Sequence, residues 1–162
     1  MNICVMKKII ITILLILFPL FLNFKEKEKE IVSIPLKYSR GLYFVTLNLN
    51  GKNANFLVDT GAIYSILDIN QAKKYKFESK ENTLYTFVGL NGTEIVGYNV
   101  YHYNLNYNDK NILIRFKGTD MNRLVNSFKT NHTKIVGIIG GNFFRNVDAI
   151  IDYKKSELRI IQ

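Results

Sequence analysis

The sequence is poor in the residues that form disulfides, metal sites and histidine-dependent active sites. Its single cysteine, Cys4, excludes an intramolecular disulfide and a cysteine-based metal site. Its two histidines, His102 and His132, lie thirty residues apart and have no patterned carboxylate neighbour. We therefore interpret both as ordinary surface or strand residues, and we expect neither a metal ion nor a cofactor.

Tryptophan is absent and proline occurs only twice, whereas ten tyrosines and eleven phenylalanines are present. This composition favours strands over disorder. The formal net charge is +9 at pH 7, and a basic protein attracts nucleic acid or an anionic membrane surface. The basic residues are nevertheless scattered, without a block of five or six. They indicate a solvated basic surface and no nucleic-acid partner.

The first 30 residues differ from the rest. Lys7 and Lys8 precede the apolar stretch 9–24, and a tract of alternating lysine and glutamate, 25–30, follows it. A basic start and an apolar core are typical of a secretory signal or an uncleaved signal anchor. No small-residue cleavage site follows the apolar stretch. We expect a membrane anchor with the domain outside the cytoplasm; the alternative is a cleaved signal and a secreted or periplasmic protein.

Residues 31–162 predict one all-β, barrel-like domain, because short apolar segments alternate with turn signals about every ten residues. Residues 43–49 and 54–58 predict two strands joined by a tight hairpin at Asn50 and Gly51. Further strands are predicted at 31–36, 63–67, 83–90, 93–101, 100–105 and 112–116, short helices at 68–75 and 142–146, and a short helix or loop at 120–132. Residues 135–140 predict a buried strand, and 147–153 and 157–161 predict a closing hairpin around Lys154-Lys155-Ser156.

An apolar run ends on Asp59, and Thr60, Gly61 and Ala62 follow before a second apolar run begins. A buried strand seldom ends on an ionised carboxylate, because that group needs compensating partners in an apolar setting. Asp59 is therefore either a paired structural residue or a group placed for chemistry. The residues alone leave both interpretations open.

Two segments together resemble the retropepsin-like aspartic proteases. Residues 56–67 match that family's apolar-Asp-Thr-Gly-Ala element. About eighty residues later, Ile138, Ile139 and Gly140 are similar to the apolar-apolar-Gly segment that crosses beneath the catalytic loop and supports it. The resemblance extends from residue 43 to the C-terminus. It implies a single-lobed barrel closed by a flap hairpin.

The flap falls at the glycine-rich hairpin 83–101, whose turn signal is Asn91-Gly92. The resemblance implies that the tip contacts the substrate through Val88, Gly89, Leu90, Asn91 and Gly92. From spacing alone, an ordinary sheet hairpin fits equally well.

The resemblance implies an aspartic endopeptidase that acts on a polypeptide substrate, with Asp59 catalytic and Thr60, Gly61 and Ala62 supporting its loop. Such enzymes use two carboxylates about 3 Å apart that share one proton. The chain carries one such motif, so the second carboxylate is expected from a second copy in a homodimer. The chemistry requires no cofactor.

Two positions depart from the viral members, which carry an acidic residue and an arginine where this chain has Ile63 and Gly141. In the viral members these two residues form an ion pair. This chain lacks both of them, which indicates a non-viral, bacterial-type member. Two alternatives stay open. One is a catalytically silent dimerisation or peptide-binding module at the membrane, and the other is a small exported β-domain in which Asp59 is only a turn residue.

Overall fold

The computed structural model describes residues 30–88, 92, 94–122 and 134–161. Within these ranges the chain is built mainly from strands, with two short helices and one 3-10 turn. The strands are β1 (Ile31–Pro35), β2 (Lys37–Ser39), β3 (Leu42–Leu49), β4 (Lys52–Val58), β5 (Ser65–Asp68), β6 (Glu78–Val88), β7 (Glu94–Tyr101), β8 (Leu105–Tyr107), β9 (Lys110–Asn111), β10 (Phe116–Thr119), β11 (Ile135–Ile139), β12 (Ile150–Asp152) and β13 (Glu157–Ile161); the 3-10 turn is Ile69–Gln71, and the helices are α1 (Ala72–Tyr75) and α2 (Gly141–Asn146).

The predicted hairpin at Asn50 and Gly51 is confirmed as the connection between β3 and β4. Both turn residues have positive φ angles, 49° and 81°, as a tight turn between twisted strands requires. Alternate residues of β3, Val45, Leu47 and Leu49, are buried in the main core. This hairpin carries the chain to the position of Asp59.

The larger sheet has the strand order β6-β7-β10-β5-β11-β4-β3-β8-β9, and β2 pairs with β3. Strand β11 lies between β4 and β5, parallel to β4 and antiparallel to β5. All five of its residues are buried, as predicted. A side chain at Gly137 would overlap the carbonyl oxygen of Ile66, so this central strand fits only with glycine there. Because β11 lies between β4 and β5, the loop that joins those two strands crosses over the end of β11.

A second sheet has the order β1-β13-β12. The predicted hairpin of the last two strands is confirmed, and β1 adds to its other side. Pro35 ends β1, which is an edge strand of this sheet, and this position suits a residue without a backbone N–H.

The core has two parts. The larger lies on the Val45 face of β3, and the smaller contains Phe44, Leu57, Met121, Ile135 and Ile138. Adjacent residues of β3 point to opposite faces, so the hairpin is covered on both sides. Ala62, from the loop after Asp59, packs against the smaller cluster. That cluster therefore lies directly below the loop.

The predicted closed barrel is not found in the part of the chain that the structure describes. The path of paired strands there is open, with β6 at one end and β9 at the other. Strand β9 is two residues long and pairs only with β8, so it offers too short an edge for closure.

The predicted strand at 100–105 is wrong, because His102 has a φ of 57° and separates β7 from β8. The predicted strand at 112–116 is also wrong, since the β10 ladder starts only at Phe116. Residues Ile112 and Ile114 are still buried, but the segment makes separate hydrogen bonds instead of a ladder. The Ile112 N–H donates to the Leu105 carbonyl oxygen at 2.7 Å. The Tyr103 hydroxyl donates to the Ile114 carbonyl oxygen at 2.8 Å.

The helix starting at Asp68 is confirmed as a 3-10 turn that continues into α1, and the helical turn predicted at 142–146 is confirmed as α2. Three predictions lie outside the described residues: the leader up to residue 29, the flap tip at 89–91, and most of the segment 120–132. Among the helices that the structure does describe, none has the length and hydropathy needed to span a bilayer.

Candidate active site

Asp59 follows β4 directly and begins the loop above β11. Its N–H donates to the carbonyl oxygen of Ile139 at 3.0 Å, so the backbone at Asp59 is fixed to the end of the central strand. Its carboxylate oxygen Oδ1 accepts a hydrogen bond of 2.9 Å from the Gly61 N–H. The residue is partly exposed. The carboxylate is thus oriented by its own turn and reaches solvent.

The turn after Asp59 is compact. The Ala62 N–H donates to the Asp59 carbonyl oxygen at 3.3 Å, while Thr60 and Gly61 are exposed at the apex. A Cβ atom at Gly61 would lie 3.2 Å from Asp59 Oδ1, which is tighter than normal packing. The Asp-Thr-Gly sequence therefore matches the geometry, since glycine permits the close approach of amide and carboxylate.

Gly140 lies beneath this loop. A Cβ atom there would be 2.5 Å from the Tyr64 carbonyl oxygen and 2.8 Å from that of Ala62. The next two residues bind the loop through the main chain: the Gly141 N–H donates to Ala62 at 2.7 Å, and the Asn142 N–H donates to Ile63 at 3.1 Å. Backbone bonds thus connect the loop to α2.

A polar network beside the loop was missed by the sequence reasoning. The Asn142 side-chain oxygen accepts bonds from the Ser65 N–H at 2.6 Å and the Ser65 hydroxyl at 2.8 Å. The same hydroxyl accepts a bond of 2.9 Å from the Gly140 N–H. The Asn142 amide nitrogen donates to the Arg115 carbonyl oxygen at 2.7 Å. One signal was available, because Ser65 shares its strand face with Leu67 and is therefore a polar residue at a core position.

The other carboxylates described by the structure have evident structural partners or exposed positions. Asp68 lies at the far end of β5 from the loop and is 2% exposed. It accepts bonds from Asn70, Gln71 and the Met121 N–H. Asp152 pairs with Arg159 at 3.3 Å. Across the described ranges no three His, Cys, Asp or Glu side chains cluster in a way that would hold a metal ion.

The hairpin expected to form the flap consists of β6 and β7, which are antiparallel with Val88 opposite Glu94. Val88 is 72% exposed, and Gly92 has a φ of 76°. Gly89, Leu90 and Asn91 lie outside the described residues. The two arms of the hairpin are thus placed, and its contact with a substrate stays a prediction.

A groove of about 480 Å³ is present elsewhere on the molecule. Its lining includes Asn48 and Asn53, on either side of the β3–β4 turn, and Tyr107. These residues are at the opposite end of β4 from Asp59. The groove is therefore separate from the Asp59 loop.

A sequence model described as Aspartyl protease matches residues 45–143, more than half of the chain. The chain belongs to the retropepsin-like aspartyl protease family, which confirms the family predicted from residues 56–67 and 138–144. A search among curated proteins found no match.

The solved structures that are similar to the chain include the following three. The retroviral protease-like domain of Ddi1 from Leishmania major has a TM-score of 0.52 and 18% identity, covering 76% of this chain and 90% of that one. A retropepsin-like aspartic protease from Rickettsia conorii has a TM-score of 0.49 and 18% identity, with coverages of 85% and 97%. EIAV protease in complex with the inhibitor HBY-793 has a TM-score of 0.42 and 15% identity, with coverages of 76% and 92%. At 18% identity, the similarity to the Leishmania major domain supports the fold alone.

Proposed function

We propose that the chain is an aspartic endopeptidase in which the Asp59 carboxylates of two copies activate a water molecule. The observation that carries this proposal is the placement of Asp59. Its carboxylate sits on a partly exposed turn, is oriented by the Gly61 N–H at 2.9 Å, and is fixed through the main chain to Ile139. An accessible carboxylate on a turn anchored to the buried central strand has the placement that the proposed chemistry requires.

Two carboxylates about 3 Å apart cannot both ionise, so they share one proton. The ionised member takes a proton from a water molecule between them, and the protonated member gives its proton to the scissile carbonyl oxygen. The water oxygen forms a bond to the carbonyl carbon, which gives a tetrahedral diol. The carboxyl group that took the proton from water then gives it to the amide nitrogen, the other carboxylate takes back a proton from a diol hydroxyl, and the C–N bond breaks to release an amine and a carboxylic acid.

One chain supplies one Asp-Thr-Gly loop, so the proposed dyad needs a second copy related by a two-fold axis through the loop. Thr60 and Gly61 are exposed at the apex, where a second copy can approach. Ile63, just after the motif, is 69% exposed and gives this surface an apolar component. A homodimer with its cleft on the axis is consistent with both features.

The proposed substrate is a polypeptide that lies between the Asp59 loop and the β6–β7 hairpin. The proposal also includes an N-terminal anchor in residues 1–30, with the domain outside the cytoplasm or, alternatively, released by signal cleavage. An anchor would raise the local concentration of the chain in the membrane plane and favour dimerisation.

The test uses the full-length chain and a mixed peptide library, assayed from about pH 4 to about pH 7, the range in which carboxylate pairs of this kind operate. We expect cleavage by the wild type and its loss in Asp59→Asn. Asp120→Asn is the matched control, because Asp120 is an exposed aspartate away from the loop. Cleavage that persists in Asp59→Asn, or a wild type that binds library peptides without cutting any, would refute the proposal.

A further inference from the structure

Two parts of the chain that are distant in sequence from α2 meet at the Asn142 side chain. They are the first residue of β5 and the segment before β10. The Asn142 oxygen accepts from the main chain and side chain of Ser65, and its nitrogen donates to the carbonyl of Arg115. The Ser65 hydroxyl in turn accepts from Gly140. Asn142 therefore joins the β5 side of the Asp59 loop to the segment before β10.

The donor and acceptor directions of these hydrogen bonds permit one orientation of the Asn142 side-chain amide. The Ser65 hydroxyl has a single proton, which it donates to Asn142, and it accepts from the Gly140 N–H. A rotated Asn142 amide would turn its NH₂ group toward the Ser65 N–H and its oxygen toward the Arg115 carbonyl. Both contacts would be repulsive, so the network fixes the side-chain orientation.

Burial makes the arrangement stiff. Ser65 is 0% exposed, so water does not compete for its hydroxyl. Hydrogen bonds in such a low-dielectric setting are stronger and less easily exchanged than at the surface. Asn142 itself is partly buried. The network is a rigid connection between β5 and α2 through two residues that are 77 positions apart in the sequence.

From this network, a short series of bonds reaches the main chain of the Asp59 turn. Gly140 is held by Ser65 at 2.9 Å, and its neighbour Gly141 donates to Ala62 at 2.7 Å. Ala62 donates to the carbonyl oxygen of Asp59 at 3.3 Å. A shift at Ser65 or Asn142 is therefore passed to the turn that orients the Asp59 side chain.

We propose that Asn142 and Ser65 are positioning residues that set the height and orientation of the Asp59 loop over β11, and thereby the separation of the two Asp59 carboxylates in the dimer. This inference rests on the proposed function. Neither side chain touches the reacting atoms in this arrangement; both act through the loop.

The first readout is a split between kcat and KM in the full-length protein. Asn142→Ala lowers kcat about 10- to 100-fold with little change in KM, because misplacement of a reacting group of about 1 Å has an effect of that size. Ser65→Ala acts in the same direction. Ser65→Thr keeps the hydroxyl and restores most of the activity.

The matched control is Asn50→Ala. The Asn50 side chain donates to Tyr75, Lys76 and His102 and accepts from the Asn104 N–H, so its removal also breaks a polar network. It lies at the opposite end of β4 from Asp59, about 20 Å away at the usual rise per residue. Asn50→Ala is expected to lower stability and to leave kcat per folded molecule unchanged.

The second readout needs no cleavage. Amide hydrogen exchange at Gly140 and Gly141 is expected to speed up at least about tenfold in Asn142→Ala, while exchange at Leu158 in β13 stays as in the wild type. Asn50→Ala should leave the two glycine amides protected. This measurement tests the connection even if the wild type cuts no peptide, an outcome that refutes the proposed function and not the role of the network in holding the loop.

Three outcomes would overturn the inference. One is a folded, dimeric Asn142→Ala with wild-type kcat. Another is a loss of kcat equal to that of Asn50→Ala, which would indicate a general effect of instability. The third is unchanged exchange at Gly140 and Gly141. If Asn142→Ala does not fold, Ser65→Ala carries the same tests, because it leaves the Asn142 bonds to the Ser65 N–H and to Arg115 in place.

Discussion

The main-chain N–H of Asp59 donates a hydrogen bond of 3.0 Å to the carbonyl oxygen of Ile139. These two residues are eighty positions apart in the sequence. The bond continues the parallel ladder in which Val58 is paired with Ile139. The Asp59 backbone thereby has the position of a strand residue, while its side chain belongs to a partly exposed turn.

A shared dyad predicts that an inactive subunit suppresses an active one. Asp59→Asn added in threefold excess to the wild type should leave about one quarter of the original activity, since random pairing makes most wild-type subunits members of mixed dimers. The measurement is the cleavage rate at a concentration that saturates dimer formation. The same excess of Asp120→Asn should add activity. A rate that is indifferent to added Asp59→Asn would rule out a site shared between subunits.

Gly140→Ala is expected to lower the free energy of unfolding by about 1–3 kcal/mol or more, because overpacking of a tight backbone crossing has this cost. The added Cβ would be 2.5 Å from the Tyr64 carbonyl oxygen, and main-chain atoms cannot rotate away. Gly141→Ala is the control, since its Cβ would be 3.3 Å from the Ala62 oxygen. Chemical denaturation measures the free energy of unfolding of both variants. Equal stability of the two variants would contradict the crossing geometry.

Ser65→Ala and Asn142→Ala should each cost about 1–3 kcal/mol of unfolding free energy, because each leaves polar groups unsatisfied in a buried setting. Their effects should not add: a double-mutant cycle should give a coupling of about 0.5–3 kcal/mol. Asn142→Ala combined with Asn50→Ala should instead be additive within about 0.5 kcal/mol, as for distant sites. Additivity in the first cycle would show that the two side chains do not interact.

Asp68→Ala is expected to destabilise the protein by about 1–3 kcal/mol without lowering kcat per folded molecule. Its carboxylate caps the 3-10 turn through the Asn70 N–H and accepts from the buried Met121 N–H, so removal loses a cap and leaves a donor unsatisfied. Asp120→Ala should cost less, because its bonds from the Asn70 side chain and the Asn122 N–H are exposed and compete with water. The checks are denaturation and the rate corrected for the folded fraction. A large drop in the corrected rate would mean that Asp68 takes part in the chemistry.

Much of the architecture was predictable from local sequence signals. Asn50-Gly51 specified a hairpin because positive φ angles are inexpensive for asparagine and glycine. The apolar residues of β11 specified a buried strand, and the Lys154-Lys155-Ser156 turn marked the last hairpin. Each signal is complete within a few residues, so the rest of the chain is not needed to interpret it.

Other features depend on which segments become neighbours in space. The end of β7 at His102 and the unpaired segment before Phe116 follow from side-chain bonds made by Asn50 and Tyr103. Alternating hydrophobicity alone does not indicate whether a partner strand is available. The open strand path has the same origin, since closure depends on edges that meet only in the folded protein.

The sequence by itself determined that Asp59 ends an apolar strand and enters a glycine turn, because strand period and turn preference act over short distances. It also supplied the second segment, Ile138 to Gly140, on which the family resemblance depended. Only the tertiary structure decided how the two segments meet: Gly140 fits under the loop for lack of a Cβ atom, and Ser65 and Asn142 fix the crossing from the side. Those relationships depend on contacts between residues more than seventy positions apart, and no local pattern encodes the distance between such residues.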